Sequence, residues 1–362
     1  MTTIELFLKL VRNALWQTEE ELPEELSANM AVNIIRGCRE QALAGLVIDA
    51  LIRNKVKVPE EQYLEMMVML MKVKMSNEQV NEGLRRLKEL FDERQIEYVV
   101  VKGQAVATYY TTPALRQAGD IDYYCDEQNY PLAQEAVREA WGIEADANGS
   151  FRHINYDYQG VTYEQHFMLT NFFGKKQDRY WQELVDGAEE WHVSIDGMAV
   201  RTLPPTIHAL FIFVHLYDHL LNLGVGFRQF CDLAVMLHYC YKDIDHERMR
   251  EVLKRLGMER AYRAVGCILT DSLGMPEKDL GCQLTEHDRR FARRIYGIVR
   301  YRGNLGHYNI RNMDSGWRNN IEMKGIKLSH FFKLFLMAPS YNCRWFRHMI
   351  RKKLPKYVVV DK

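Results

Sequence analysis

The hydrophobic period of this chain changes twice along its length, and that change constrains the fold more than any single motif. From Ile4 to about Gln95 apolar residues recur at helical spacing, as in Met66, Met69, Leu70 and Val73, with Pro23 and Pro59 punctuating the run. Short β-branched and aromatic stretches follow, EYVVVKG, DIDYYC, RHINYDY and VTYEQHFML, with the helical QEAVREAW among them. Tyr158-Gln159-Gly160 and Ile195-Asp196-Gly197 predict hairpin turns, and Pro204-Pro205 closes the stretch. Helical period then returns in Thr206 to Asn222, Phe227 to Tyr241, His246 to Leu256 and beyond. The expected class is α+β: a helical region 1–95, a small mixed α/β unit 96–203 and a second helical region 204–362. With no internal repeat, low-complexity segment or long linker, the three are expected to pack as one body.

Composition narrows the partners. Lys plus Arg (48) equals Asp plus Glu (48), so no global field draws the chain to nucleic acid or to a membrane. The seven cysteines lie far apart with no C-x-x-C pair, which suits reduced thiols in a cytosol. The opening MTTIELFLKLVRNALW reads as an amphipathic helix and no apolar run reaches membrane-spanning length, so a cytoplasmic protein is expected. The methionines from Met66 to Met75 fit core packing at helical spacing, with a pliable partner surface as the alternative.

The chemistry concentrates between Val99 and His166. On a strand, residues two apart share a face, so Asp120 and Asp122 aim two carboxylates at one point while Ile121 turns into the core. Two like charges held that close require a cation. Magnesium is the natural one, because it binds through one or two carboxylates plus substrate phosphates; manganese is the alternative. D-x-D alone is common by chance. Upstream, EYVVVKG ends a strand on Lys102 and Gly103, where glycine permits a tight turn and close approach of a ligand, and the following helix start offers N–H groups to an anion. The same pair also fits a plain strand-to-helix turn with a solvated lysine. In VTYEQHFML, Glu164 shares a face with His166, so it can complete a three-acid metal site, the alternative being an ordinary polar strand face.

A glycine at a strand-to-helix turn, then D-h-D, then an acid on a later strand resembles the polymerase-β-like nucleotidyltransferase superfamily. More closely, VVVKGQAVATYYTTPALRQAGDIDYY is similar to the K-G…Y…P…R…G-D-I-D motif of the bacterial nucleotidyltransferase-5 family. RHINYDYQGVTYEQHF resembles that family's H…G…(D/E)-x-H segment, and HALFIFVHLYDHLLNLGVGFRQFCDLAVML its H…H…R…D helical segment. The resemblance implies a minimal nucleotidyltransferase core between helical regions, with Asp120, Asp122 and Glu164 as catalytic, metal-binding acids. It implies an NTP substrate, with Lys102, Gly103, Gln104, Arg116, Arg228 and Asp232 on the nucleotide side and His153, His166 and His219 lining the site. Gly103-Gln104 departs from the superfamily's usual Gly-Ser or Gly-Gly, and the gap to Asp120 is long. The expected reaction moves a nucleoside monophosphate to an acceptor that is a small molecule, a protein or RNA. The competing expectation is a non-catalytic nucleotide-binding or scaffold protein acting through its helices.

Two further patterns carry alternatives. Arg228 and Asp232, one helical turn apart, read either as a surface ion pair or as an arginine held toward the cleft by its aspartate. HLYDH, His215 to His219, has the i, i+4 spacing of an inverted zincin but lacks the glutamate, and packing or substrate contact is the preferred reading. The basic, aromatic tail from Lys324 onward, with RWFRHMIRKKLPKY, reads as helices packed by their apolar stripes, or as an RNA- or membrane-binding surface.

Overall fold

The computed structural model describes residues 1–143, 153–222, 224–304 and 316–351. Four helices open the chain: α1 Thr3–Trp16, α2 Ala28–Gln41, α3 Ala44–Arg53 and α4 Glu60–Glu93. Thr2 starts α1 with a capping box, its hydroxyl accepting the Glu5 N–H while the Glu5 carboxylate accepts the Thr2 N–H at 2.7 Å. α4, 34 residues long, serves two cores. Its first half buries Met66, Leu70 and Val73 among the other helices, and its second half lays Val80, Leu84, Leu87 and Phe91 on a sheet. Of the methionine run, Met66 is buried, whereas Met71 and Met75 are exposed, so core packing accounts for only part of it.

The middle of the chain runs β1 Val99–Val101, α5 Gly103–Ala107, β2 Ile121–Tyr124, α6 Asn129–Trp141, β3 His153–Tyr158, β4 Val161–His166, α7 Lys175–Asp186, β5 Trp191–Ile195 and β6 Met198–Thr202. Its strands form one six-stranded sheet in the order β3-β4-β2-β1-β6-β5. Both expected hairpins form. Gln159 and Gly160 (φ 48° and 75°) join β3 to β4, and Asp196 and Gly197 (φ 50° and 76°) join β5 to β6. Two consecutive positive φ values make the primed turn whose twist suits a two-residue hairpin.

Alternation along the strands divides the sheet's faces. Val100, Ile121, Tyr123 and Tyr163 pack under α4 and α6. Val101 and Tyr124 face the larger helical core, and Asp122, the register partner of Val101, lies on their side. That side meets the remaining helices, α8 Pro205–Asn222, α9 Phe227–Tyr239, α10 His246–Leu256, α11 Glu259–Asp271, α12 Glu286–Arg302, α13 Gly316–Leu334 and α14 Pro339–Arg351. α8 begins on Pro205 and is apolar on nearly every side, as the central helix of a core must be. The class is α+β, a mixed sheet flanked by helices.

The tail helices pack by their apolar stripes, with Leu334, Tyr341 and Trp345 buried. Lys352 and Lys353, part of the basic tail, lie outside the described residues. Among the described residues no helix is long and apolar enough to cross a membrane.

Candidate active site

Strand pairing assembles the acids. β1 and β2 are antiparallel, so Lys102 after the end of β1 lies beside the start of β2, where Val101 is the partner of Asp122. β2 and β4 are parallel with Asp122 opposite Glu164, and cross-strand partners project to one face. Asp120, one residue before β2, completes the trio; one carboxylate oxygen from each of Asp120, Asp122 and Glu164 lies within 4.8 Å of the others. These are hard oxygen donors at a spacing one small divalent cation can bridge, so the residues fit magnesium.

The trio lines a cavity of about 510 Å³ together with Lys102, Gly103, Arg116, His153, His166, His215, Asp218, His219, Arg228 and Asp232. A larger cleft of about 940 Å³ lies at the other ends of β1 and β2, between Tyr98, Tyr124 and Asp126. Among the described residues, both groups able to hold a metal belong to the smaller cavity, so chemistry rather than size marks the site.

Lys102 Nζ sits 2.7 Å from Asp122 Oδ1, and His166 Nε2 is 2.9 Å from the same oxygen and 3.5 Å from Glu164 Oε2. Burial opposes the charge on Lys102, but Asp122, Asp120 and Glu164 outweigh it and hold its pKa above the usual lysine value. The Glu164 carboxyl is raised by burial, yet its hydrogen bond from His166 and the charge of Lys102 bring it below the ordinary range despite repulsion from Asp120. His166 is likewise disfavoured by burial but held above its ordinary value by Asp122 and Glu164. His153 shifts the other way, chiefly through burial.

Two expectations need correction. Arg228 is not held by Asp232: Asp232 accepts Arg116 Nε at 2.7 Å and Nη2 at 2.9 Å, and the Tyr110 hydroxyl at 2.7 Å, so both oxygens are taken. Arg228 instead donates from Nη1 to the Gln117 carbonyl at 3.2 Å, and its Nε has no partner. Burial and the neighbouring Arg116 lower its pKa against the pull of Asp232 and Asp120. Neither is it a surface residue, because it lines the same cavity as Asp120. Gln104 lies off the cavity, its side-chain amide donating to Asn77 at 3.4 Å and to Asn81 on α4. The helix after Gly103 is only five residues, too short to build an anion site at its start. Any phosphate contact there rests on the Lys102 side chain.

The turn itself is strained. Lys102 has φ 54° and ψ −142°, and Gly103 has φ 38°, where a Cβ would lie 3.4 Å from the Asp120 carbonyl. His208 on α8, which the sequence reading missed, steadies this turn by accepting the Lys102 N–H on Nε2 at 3.2 Å. Full burial pushes the His208 pKa down to about 3. The neutral ring therefore contributes stability that is complete above its unfolded value of 6.5 and is lost as pH falls toward 3. Unfolding free energy should fall by up to about 1.4 kcal/mol per pH unit in that window through this group. His208→Gln should flatten that part of the acid limb in denaturant titrations; an unchanged slope would remove His208 from the account.

His215 and His219 face each other, Nε2 to Nε2 at 2.9 Å, and Asp218 accepts the Tyr341 hydroxyl at 3.3 Å. Among the described residues this HLYDH group gathers no third ligand.

A mixed sheet that brings three carboxylates to one cavity wall, with cations around them and helices closing the other side, has the architecture of a nucleotidyltransferase-like protein. The chain belongs to the family described as uncharacterised nucleotidyltransferase, which matches residues 30–274. It is also similar to the solved structure of an antigenic nucleotidyltransferase-like protein from Paracoccidioides brasiliensis, at 13% identity over 54% of this chain and 92% of that one. The TM-score is 0.32, and at that level the likeness carries no argument about the site. No curated protein matches the chain.

Proposed function

We propose that the chain transfers a nucleoside monophosphate from a nucleoside triphosphate to an acceptor hydroxyl. Residues 96–203 form the transfer core, and regions 1–95 and 204–362 supply the walls it lacks. The observation that carries this reading is the trio Asp120, Asp122 and Glu164, within one ion's reach of each other in a cavity with Lys102 and Arg228. Asp120 and Asp122 would hold magnesium with the triphosphate, and Glu164 would share it on the acceptor side. Bound there, magnesium supplies charge neutralisation of the triphosphate and acidification of the attacking hydroxyl.

The protein's own groups do the rest. The acceptor oxygen bonds to the α-phosphorus with loss of its proton, and the bond to pyrophosphate breaks. Lys102, paired with Asp122 in this structure, is placed to exchange that carboxylate for the departing phosphates. Arg228 offers a guanidinium whose Nε has no protein partner, which suits a phosphate or an anionic acceptor. Arg116 acts at one remove, because its planar end is already committed to Asp232.

Calorimetric and thermal-shift titrations test the binding half of this proposal. NTP should raise Tm more with magnesium than without it. Arg228→Ala should weaken nucleotide binding or transfer at least tenfold while moving the urea midpoint little. Unchanged affinity and transfer in that variant would return Arg228 to a packing role.

A further inference from the structure

We propose that His153, Glu164 and His166 form a transition-metal site in the cleft, distinct from the oxygen-only position and sharing Glu164 with it. The inference rests on the reading of this cleft as the transfer site.

Sheet geometry gathers the donors. His153 on β3 is the antiparallel register partner of His166 on β4, so the two rings share a face, and Glu164, two residues before His166, shares it too. The ring centroids are 5.0 Å apart, and one ligand atom from each of the three side chains lies within 4.8 Å of the others. His166 Nε2 and Glu164 Oε2 are separated by 3.5 Å. Two ligands about 2.1 Å from a tetrahedral ion sit roughly 3.4 Å apart, so this pair already has the spacing of ligands on one metal.

The donor set decides which ion. Two imidazoles and one carboxylate, with a further position open to the cavity, suit zinc, cobalt or manganese, whereas magnesium prefers oxygen donors and retained waters. His166 is 5% exposed; without an ion its Nε2 is engaged with Asp122 Oδ1 at 2.9 Å while its Nδ1 has no hydrogen-bond partner, so a bound ion would take the place of the Nε2 proton. Glu164 belongs to both trios, which places the two positions side by side, one hard and one borderline.

Cobalt titration of the metal-stripped full chain, without nucleotide, tests the site through its visible ligand-field absorption and by calorimetry. One equivalent should bind with the spectrum of an imidazole-ligated ion, zinc should displace it, and excess magnesium should not. His153→Ala should weaken binding at least tenfold, and His153→Asn serves if the alanine variant fails to fold. Asp120→Asn and His215→Ala should retain the cobalt spectrum. Absence of uptake, displacement by magnesium, unchanged binding in the His153 variants, or loss in Asp120→Asn would overturn the site. Loss in His215→Ala with retention in His153→Ala would move the ion to the HLYDH histidines and overturn it equally. Because no nucleotide is present, failure here leaves magnesium-dependent transfer standing, and failure of transfer leaves a cobalt site measurable.

Discussion

Asp120→Asn should fold normally and lose nucleotidyl transfer by on the order of 10³-fold, about 4 kcal/mol of transition-state stabilisation. The residue is only partly buried and stands one position before β2, so the sheet does not depend on its charge, whereas the trio does. Asp122→Asn should lose at least as much activity but is less clean. Its carboxylate also neutralises Lys102 at 2.7 Å and His166 at 2.9 Å in a buried position, so the variant should unfold more readily. The two are separated by measuring turnover alongside the urea midpoint. Retained turnover in Asp120→Asn, with the fold intact, would remove that acid from the mechanism.

The second large effect is on stability. Asp232→Ala should cost about 3–5 kcal/mol, because it strands a buried Arg116 next to Arg228 and leaves the Tyr110 hydroxyl without its acceptor. Burial alone would raise the Asp232 carboxyl; Arg116 overcomes that and holds it below the ordinary value. Asp232→Asn should cost less, since the amide oxygen still accepts one hydrogen bond. Equilibrium urea unfolding reads the difference directly, and a loss below about 1 kcal/mol for the alanine variant would show that the pair is solvated. The contrast with Arg228→Ala is diagnostic: the proposal expects the first variant to lose stability and the second to lose ligand affinity.

What could be read from the sequence follows from which contacts are local. The turns at Gln159-Gly160 and Asp196-Gly197 were legible because a two-residue hairpin dictates its own residues. Glu164 and His166 were placed on one face because a strand's period is two. Their meeting with Asp122 depends on β2 pairing in parallel with β4 in one register, which local spacing does not dictate. Local spacing misled where a distant partner won: Arg228 and Asp232 are one turn apart, yet Asp232 binds Arg116 from the loop before β2. His208 was invisible for the same reason, a lone histidine in an apolar helix whose partner is a backbone N–H 106 residues away. Gln104 followed a glycine where a ligand contact was expected, but α4 offered its amide Asn77 and Asn81.

Incubation with magnesium, a cell extract and each NTP labelled separately at the α- and γ-phosphates tests the central claim most directly. The account predicts that α-label enters an acceptor while γ-label leaves as pyrophosphate, and that Asp120→Asn abolishes both. Transfer of γ-label to an acceptor, or no transfer of α-label by a protein that binds NTP, would contradict it.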